Sequence, residues 1–175
     1  MIGRILCPTD LTENSRDSMA YALRLAKENR AELIVFHATS LPSLPYYPCE
    51  LEPYYPWEEL LSKFNIDRVL AAGERKVKNF VGVRFRSETD GVVWKPRITL
   101  GKPSEEIVTA AFQEEVDLIV MARCKRTRLA RIFTLSIAEA VSRYAPCPVL
   151  SIDATHFVRP SPRWKLPLLR EIFQS

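Results

Sequence analysis

This sequence predicts a doubly wound α/β fold, with a five-stranded parallel sheet sandwiched by helices, and three observations carry the prediction. Its strand-like runs are continuously apolar, as in LIVF at 33–36 and LIVM at 118–121, which marks strands covered on both faces. Amphipathic helical stretches alternate with these runs, the order expected of β-α-β units. The chain of 175 residues is also long enough to bury one such core without disulfide or metal staples.

The first strand is expected at 2–7 and the second at 32–38, ELIVFHA, rich in β-branched and aromatic types. Between them Asn14 has the chemistry of a helix cap, and Met19, Ala22, Leu23 and Ala26 recur at i, i+3, i+4 and i+7 to make one apolar face. A third strand is expected at 92–100. Ser104 is the candidate cap of a helix carrying Ile107, Val108 and Ala111, which leads into a fourth strand, DLIVMA, at 117–122. Ser136 and Glu139 have capping-box spacing ahead of a helix with Ile137, Val141 and Tyr144. Pro146 and Pro148 must stop that helix before a fifth strand at 149–152. Between 81 and 91 a helix end and a hairpin at Asp90-Gly91 both fit.

Residues 1–153 read as one domain and 154–175 as a C-terminal extension. Within the domain, 41–57 (LPSLPYYPCELEPYYPW) holds five prolines and four tyrosines, too many prolines for a helix or a central strand. It is expected to be an ordered surface loop, acting as a packing flap, a lid or a partner-binding element. A helix from about Trp57, with Leu60, Leu61 and Phe64, should follow it. The extension places Trp164, Leu168, Leu169, Ile172 and Phe173 on a short amphipathic helix. Such a surface is expected to pack on its own domain, across a dimer, or on another protein.

Several function classes are disfavoured. Arg123, Lys125, Arg126, Arg128 and Arg131 crowd into nine residues without an Asp or Glu, as a solvated face or an anion site would. No aromatics interleave with them to stack on bases, so nucleic acid is not an expected partner. The four cysteines are dispersed, with no CxxC and no histidine at ligand spacing, so no metal site is expected and a reduced, cytoplasmic setting fits. No apolar run approaches the roughly 20 residues of a membrane helix, and no export signal opens the chain. His37 and His156 have no evident nucleophile or acid beside them, and GxSxG, GxxxxGK[ST], GxGxxG and HExxH are all missing. The protein is therefore not expected to be an enzyme.

Two long stretches resemble the universal stress protein family. ILCPTDLTENSRDSMAYALRLAKENRAELIVFHA is similar to its first β-α-β unit, and LGKPSEEIVTAAFQEEVDLIVMA followed by SIAEAVSRYAPCPVLSI to its second half. The resemblance implies a Rossmann-related sheet commonly paired through its last strand, here Val149, Leu150, Ser151 and Ile152. It also implies a nucleotide site in which an aspartate after the first strand holds the adenosine end. The loop after the fourth strand cradles phosphates with GxxG, nine further residues, then G followed by Ser or Thr. Asp10 matches the aspartate, with Pro8 and Thr9 beside it, and Ser136 matches the terminal hydroxyl. Ala38, Met121 and Ile137 complete the candidate nucleotide-binding set.

The three glycines do not match, because Ala122, Lys125 and Leu135 occupy their positions with the spacing intact. Glycine allows backbone N–H groups to approach phosphate and allows positive φ, and a side chain obstructs both. The expected function is a stress-response regulator acting as a homodimer and through protein contacts, by the 41–57 insert or the C-terminal helix, without a cofactor. The alternative is ATP with Mg held by Arg123, Lys125, Arg126 and Arg128 in place of the glycine loop. Asp10 and Ser136 also have structural readings, as a turn residue and a helix cap. The pocket between Asp10 and Ser136 would separate these expectations, being either open and lined by the basic side chains or filled by Leu135 and its neighbours.

Overall fold

Apolar strands with two covered faces require helices on both sides, and the computed structural model, which describes residues 2–39, 65–123 and 137–153, has that arrangement. Along the chain run β1 (Arg4–Pro8), a 3-10 turn (Glu13–Ser15), α1 (Arg16–Asn29), β2 (Glu32–Thr39) and α2 (Ile66–Arg84). They are followed by β3 (Trp94–Leu100), α3 (Pro103–Gln113), β4 (Leu118–Arg123), α4 (Ile137–Tyr144) and β5 (Val149–Asp153). All five strands are parallel in one sheet, ordered β3-β2-β1-β4-β5. The expected fold class is the observed one.

The period-2 geometry of strands divides the core. Ile5, Cys7, Leu33, Val35 and Val120 pack with Met19, Leu23, Val77 and Phe80 of α1 and α2. Leu6, Ile34, Phe36, Ile119 and Met121 pack on the other face with Ile107 and Ala111 of α3 and with Ala138 and Val141 of α4. The predicted face of α1 is confirmed, since Met19, Ala22, Leu23 and Ala26 are all buried. Burial pushes the Cys7 thiol up to about 12, against a smaller opposing hydrogen bond with Ser18, so this cysteine is core material rather than a nucleophile.

Pro96 sits inside β3 without a ladder penalty because, among the described strands, β3 is at the edge of the sheet and pairs with β2 alone. Lys95 and Arg97 of the same strand reach Glu114 at 3.0 and 3.8 Å, and Lys95 also reaches Glu32 at 3.3 Å. These partners raise the Lys95 pKa, the Glu114 hydrogen bond first among them. The pairs are only half-buried and tie the edge to its neighbours more than they add stability.

Local chemistry differs from expectation at the helix starts. Asn14 is not a cap: Thr12 caps the 3-10 turn by accepting from the Asn14 N–H, and Ser15 precedes α1. Ser104 is not a cap either, because Pro103 starts α3 one residue earlier, at the position where a missing N–H costs nothing, with Lys102 before it. In α4 the buried face is Ala138 and Val141, while Ile137 and Tyr144 are exposed. The Asp90-Gly91 hairpin does not form. Helix α2 runs to Arg84, a turn follows with Gly91 at φ 74°, and β3 then pairs parallel to β2. A parallel partner excludes a hairpin connection.

The 41–57 insert, the helix expected from Trp57 and the 154–175 extension lie outside the described residues. No helix among the described residues is long and apolar enough to cross a membrane. Among the same residues no His, Cys, Asp or Glu group is placed to hold a metal ion.

Candidate functional site

From β1 the chain winds outward to β2 and β3, then returns to place β4 on the opposite side of β1. Loops diverge at such a switch point and leave a crevice beyond the carboxyl ends of the strands. A cavity of about 300 Å³ occupies that position. Its walls are Pro8 from β1, Phe36 and Ala38 from β2, Pro103 and Ile107 from α3, Met121 and Ala122 from β4, and Ile137 and Ala138 from α4. Thr9, Asp10, Asn14, Ser15 and His37 provide its polar groups, and the described lining contains no Arg or Lys.

The loop after β1 is held by its own side chains. Thr9 N–H donates to the Phe36 carbonyl at 2.8 Å, which carries the β1–β2 pairing one residue past the strand. Asp10 Oδ1 accepts from Thr12 N–H at 3.0 Å, from Thr12 Oγ1 at 2.7 Å and from Ser15 Oγ at 2.5 Å. Ser15 Oγ in turn accepts from the Asp10 N–H at 3.1 Å. This is the turn chemistry expected of an aspartate in such a loop. Leu11 is driven to φ 60°, with its N–H on Thr9 Oγ1 at 3.0 Å. Partial burial pushes the Asp10 carboxyl up, but bonds from Ser15, Thr12 and Asn14 together outweigh it and hold the pKa below the ordinary value.

His37 is half-buried on β2, with Nδ1 2.9 Å from the Thr9 carbonyl. A carbonyl only accepts, so Nδ1 carries the proton in that bond and a neutral ring keeps an acceptor at Nε2. No nucleophile pairs with it among the described hydrogen bonds. Asn14 Oδ1 is buried without any partner.

Seven of the sequence-selected residues meet here: Pro8, Thr9, Asp10, Ala38, Met121, Ala122 and Ile137. Arg123 ends β4 next to Ala122, is exposed, and does not line the cavity. Lys125, Arg126, Arg128, Leu135 and Ser136 lie outside the described residues. Val149, Leu150, Ser151 and Ile152 form β5, whose single partner among the described strands is β4. Sequence reasoning missed Asn14, Ser15, Phe36 and His37 as lining residues, together with Pro103, Ile107 and Ala138 of the flanking helices. For the first four the signal was position, since each stands near the carboxyl end of β1 or β2, close in sequence to Asp10 or Ala38.

Comparison with known proteins agrees with this geometry. Universal stress protein MJ0531 of Methanocaldococcus jannaschii is 32% identical over 149 residues, covering 85% of this chain and 81% of that protein. The solved structure of protein MJ0577 from the same organism has a TM-score of 0.60 at 25% identity, over 87% of this chain and 96% of its own. A universal stress protein family protein of Arabidopsis thaliana, solved with AMP bound, shares the fold at 14% identity and TM-score 0.56, over 91% of this chain and 97% of its own. The universal stress protein family model matches residues 1–152, so the chain belongs to the universal stress protein family.

Proposed function

We propose that this protein is a regulatory universal stress protein that works as a homodimer in the cytoplasm and through protein contacts. Its pocket receives the nucleoside end of a ligand without the family's glycine grip on phosphates. It binds rather than catalyses. The observation that supports this reading is the open, mostly apolar cavity of about 300 Å³ beside Asp10. A site of that size and lining suits a flat ring with a few polar groups. Ala122, Lys125 and Leu135 stand where phosphate-cradling glycines would be.

Calorimetry with MgATP and adenosine tests it. Adenosine should bind, and MgATP should gain no tight, salt-resistant increment from its phosphates. Micromolar ATP binding that persists in high salt, or ATP co-purifying with the protein, overturns the reading. The exposed position of Arg123 at the end of β4 favours a second reading, in which Arg and Lys side chains capture phosphate electrostatically. In that case the ATP increment appears at low salt and fades by 1 M, where the Debye length is about 3 Å instead of about 10 Å at 0.1 M.

The dimer is expected to form along β5, because an open strand edge is a pairing surface that a two-fold contact can close. Light scattering at micromolar concentration should return twice the chain mass. A monomer there removes this part of the proposal.

A further inference from the structure

We infer that the C-terminal extension of this chain, residues 154–175, docks through Leu168, Leu169, Ile172 and Phe173 along the outer seam between α3 and α4 of its own domain. The inference does not depend on which ligand the pocket receives.

The two helices cover one face of the sheet, with Ile107, Ala110 and Ala111 of α3 and Ala138 and Val141 of α4 in a single buried cluster. Helix α3 packs over β2, and α4 over β4 and β5. Gln113 marks the flank of α3 that faces the sheet edge, because its Oε1 accepts from Arg97 Nη2 of β3 at 2.9 Å. At 3.6 residues per turn, Val108 and Phe112 fall on the opposite flank, towards α4. In α4, Ile137 lines the cavity beside Pro103 and Ile107 of α3, and Ala140 and Tyr144 follow it at i+3 and i+7 on that flank. Both flanks border the same seam. Phe112 is 74% exposed, Tyr144 67% and Ile137 43%. Among the described residues the other exposed large apolar side chains are Val83, on α2 across the sheet, and Val93, just before β3. Single exposed apolar residues need no partner, but three along one interhelical seam mark an interaction surface.

The chain itself supplies the occupant. It leaves β5 at Asp153, at the carboxyl end of the sheet, where α4 also begins, with Ile137 beside the cavity. Residues 154–163 can span up to ~33 Å when extended, against roughly 16 Å for the whole length of α3. Beyond them Leu168, Leu169, Ile172 and Phe173 recur at i, i+1, i+4 and i+5, one apolar stripe of helical period. Such a stripe seats in an apolar groove between helices. The tether holds it near the seam at a local concentration on the order of millimolar, an advantage that no free partner with the same stripe has.

The experiment follows tryptic cleavage of the full chain after Lys165 by mass spectrometry, since a docked extension is cut only when it opens. Phe112→Asp with Tyr144→Asp should speed that cleavage about tenfold, and Leu169→Ser with Phe173→Ser should do the same. All four together should speed it no further, because each pair removes the same contact. Val83→Asp, a charge placed on the other face of the domain, should leave the rate unchanged. Phe112→Ser with Tyr144→Ser replaces the aspartate pair should the latter fail to fold. Seam variants that do not alter the rate, increments that multiply when combined, or an equal acceleration by Val83→Asp each overturn the inference. Co-expression of the seam variant with the extension variant distinguishes the chain's own seam from that of a second copy. No protection should return in the mixture, and protection regained there would place the extension on the second copy and overturn the assignment.

Discussion

Replacing Ala122, Lys125 and Leu135 together by glycine is expected to strengthen MgATP binding by about tenfold or more, equivalent to roughly 1.4 kcal/mol. The expectation follows from what a phosphate cradle requires. Backbone N–H groups must converge on the anion, which needs positive φ and close approach, and only glycine supplies both without steric cost. Ala122 already lines the cavity near the end of β4, so the first of the three substituted positions borders the pocket. Leu135→Gly should contribute the largest single share, through the bulk it removes just before the helix that begins at Ile137. Lys125→Gly should contribute least, because it also removes a cation. Adenosine affinity should stay unchanged, which separates a gain at the phosphates from a general change in the pocket. A triple variant that binds MgATP no better than wild type would show that the missing glycines are not what limits phosphate binding.

Gly73→Val is expected to destabilise the fold by about 1–3 kcal/mol through overpacking. Gly73 lies on the buried face of α2, and a Cβ built there meets Ile98 Cγ2 of β3 at 2.8 Å. That is well inside the ~3.5–4.0 Å at which carbons attract. Ile98 is β-branched, so its χ1 has little freedom to move aside. Either α2 or edge strand β3 must shift. Gly73→Ala should cost less, since alanine recovers up to about 1 kcal/mol of helix propensity against the same clash. Gly82 is the internal control, on the same helix with nothing within 4 Å of an added Cβ. For a domain of this size the valine variant should melt lower by roughly 2–4 °C per kcal/mol, while Gly82→Ala should melt no lower than wild type. Equal melting temperatures for Gly73→Val and wild type would refute the close-packing argument.

The sequence by itself determined the fold class, the strand set and one helix face. Its apolar runs and the Met19, Ala22, Leu23 and Ala26 spacing are local patterns with a single comfortable burial. It also determined the family, and through it the seven residues that meet in the cavity, because a matched motif transfers positions that have already been arranged in space. Capping was less legible. Asn14, Ser104 and Ser136 are all good cap chemistry, and which of several polar neighbours takes that place depends on where the preceding strand releases the chain. At α1 the Asp10–Thr12–Ser15 contacts decided it, and at α3 the proline did. The absence of a hairpin at Asp90-Gly91 was likewise a tertiary outcome, set by the parallel pairing of β3 with β2. Only the tertiary structure turned Asn14 from an expected cap into a lining residue with an unpartnered oxygen, and showed Asp10 Oδ1 accepting from Thr12 and Ser15 of its own loop. Hydrogen-bond capacity is shared among neighbours, so the donors that saturate a group become visible only when the folded chain brings them within 3 Å.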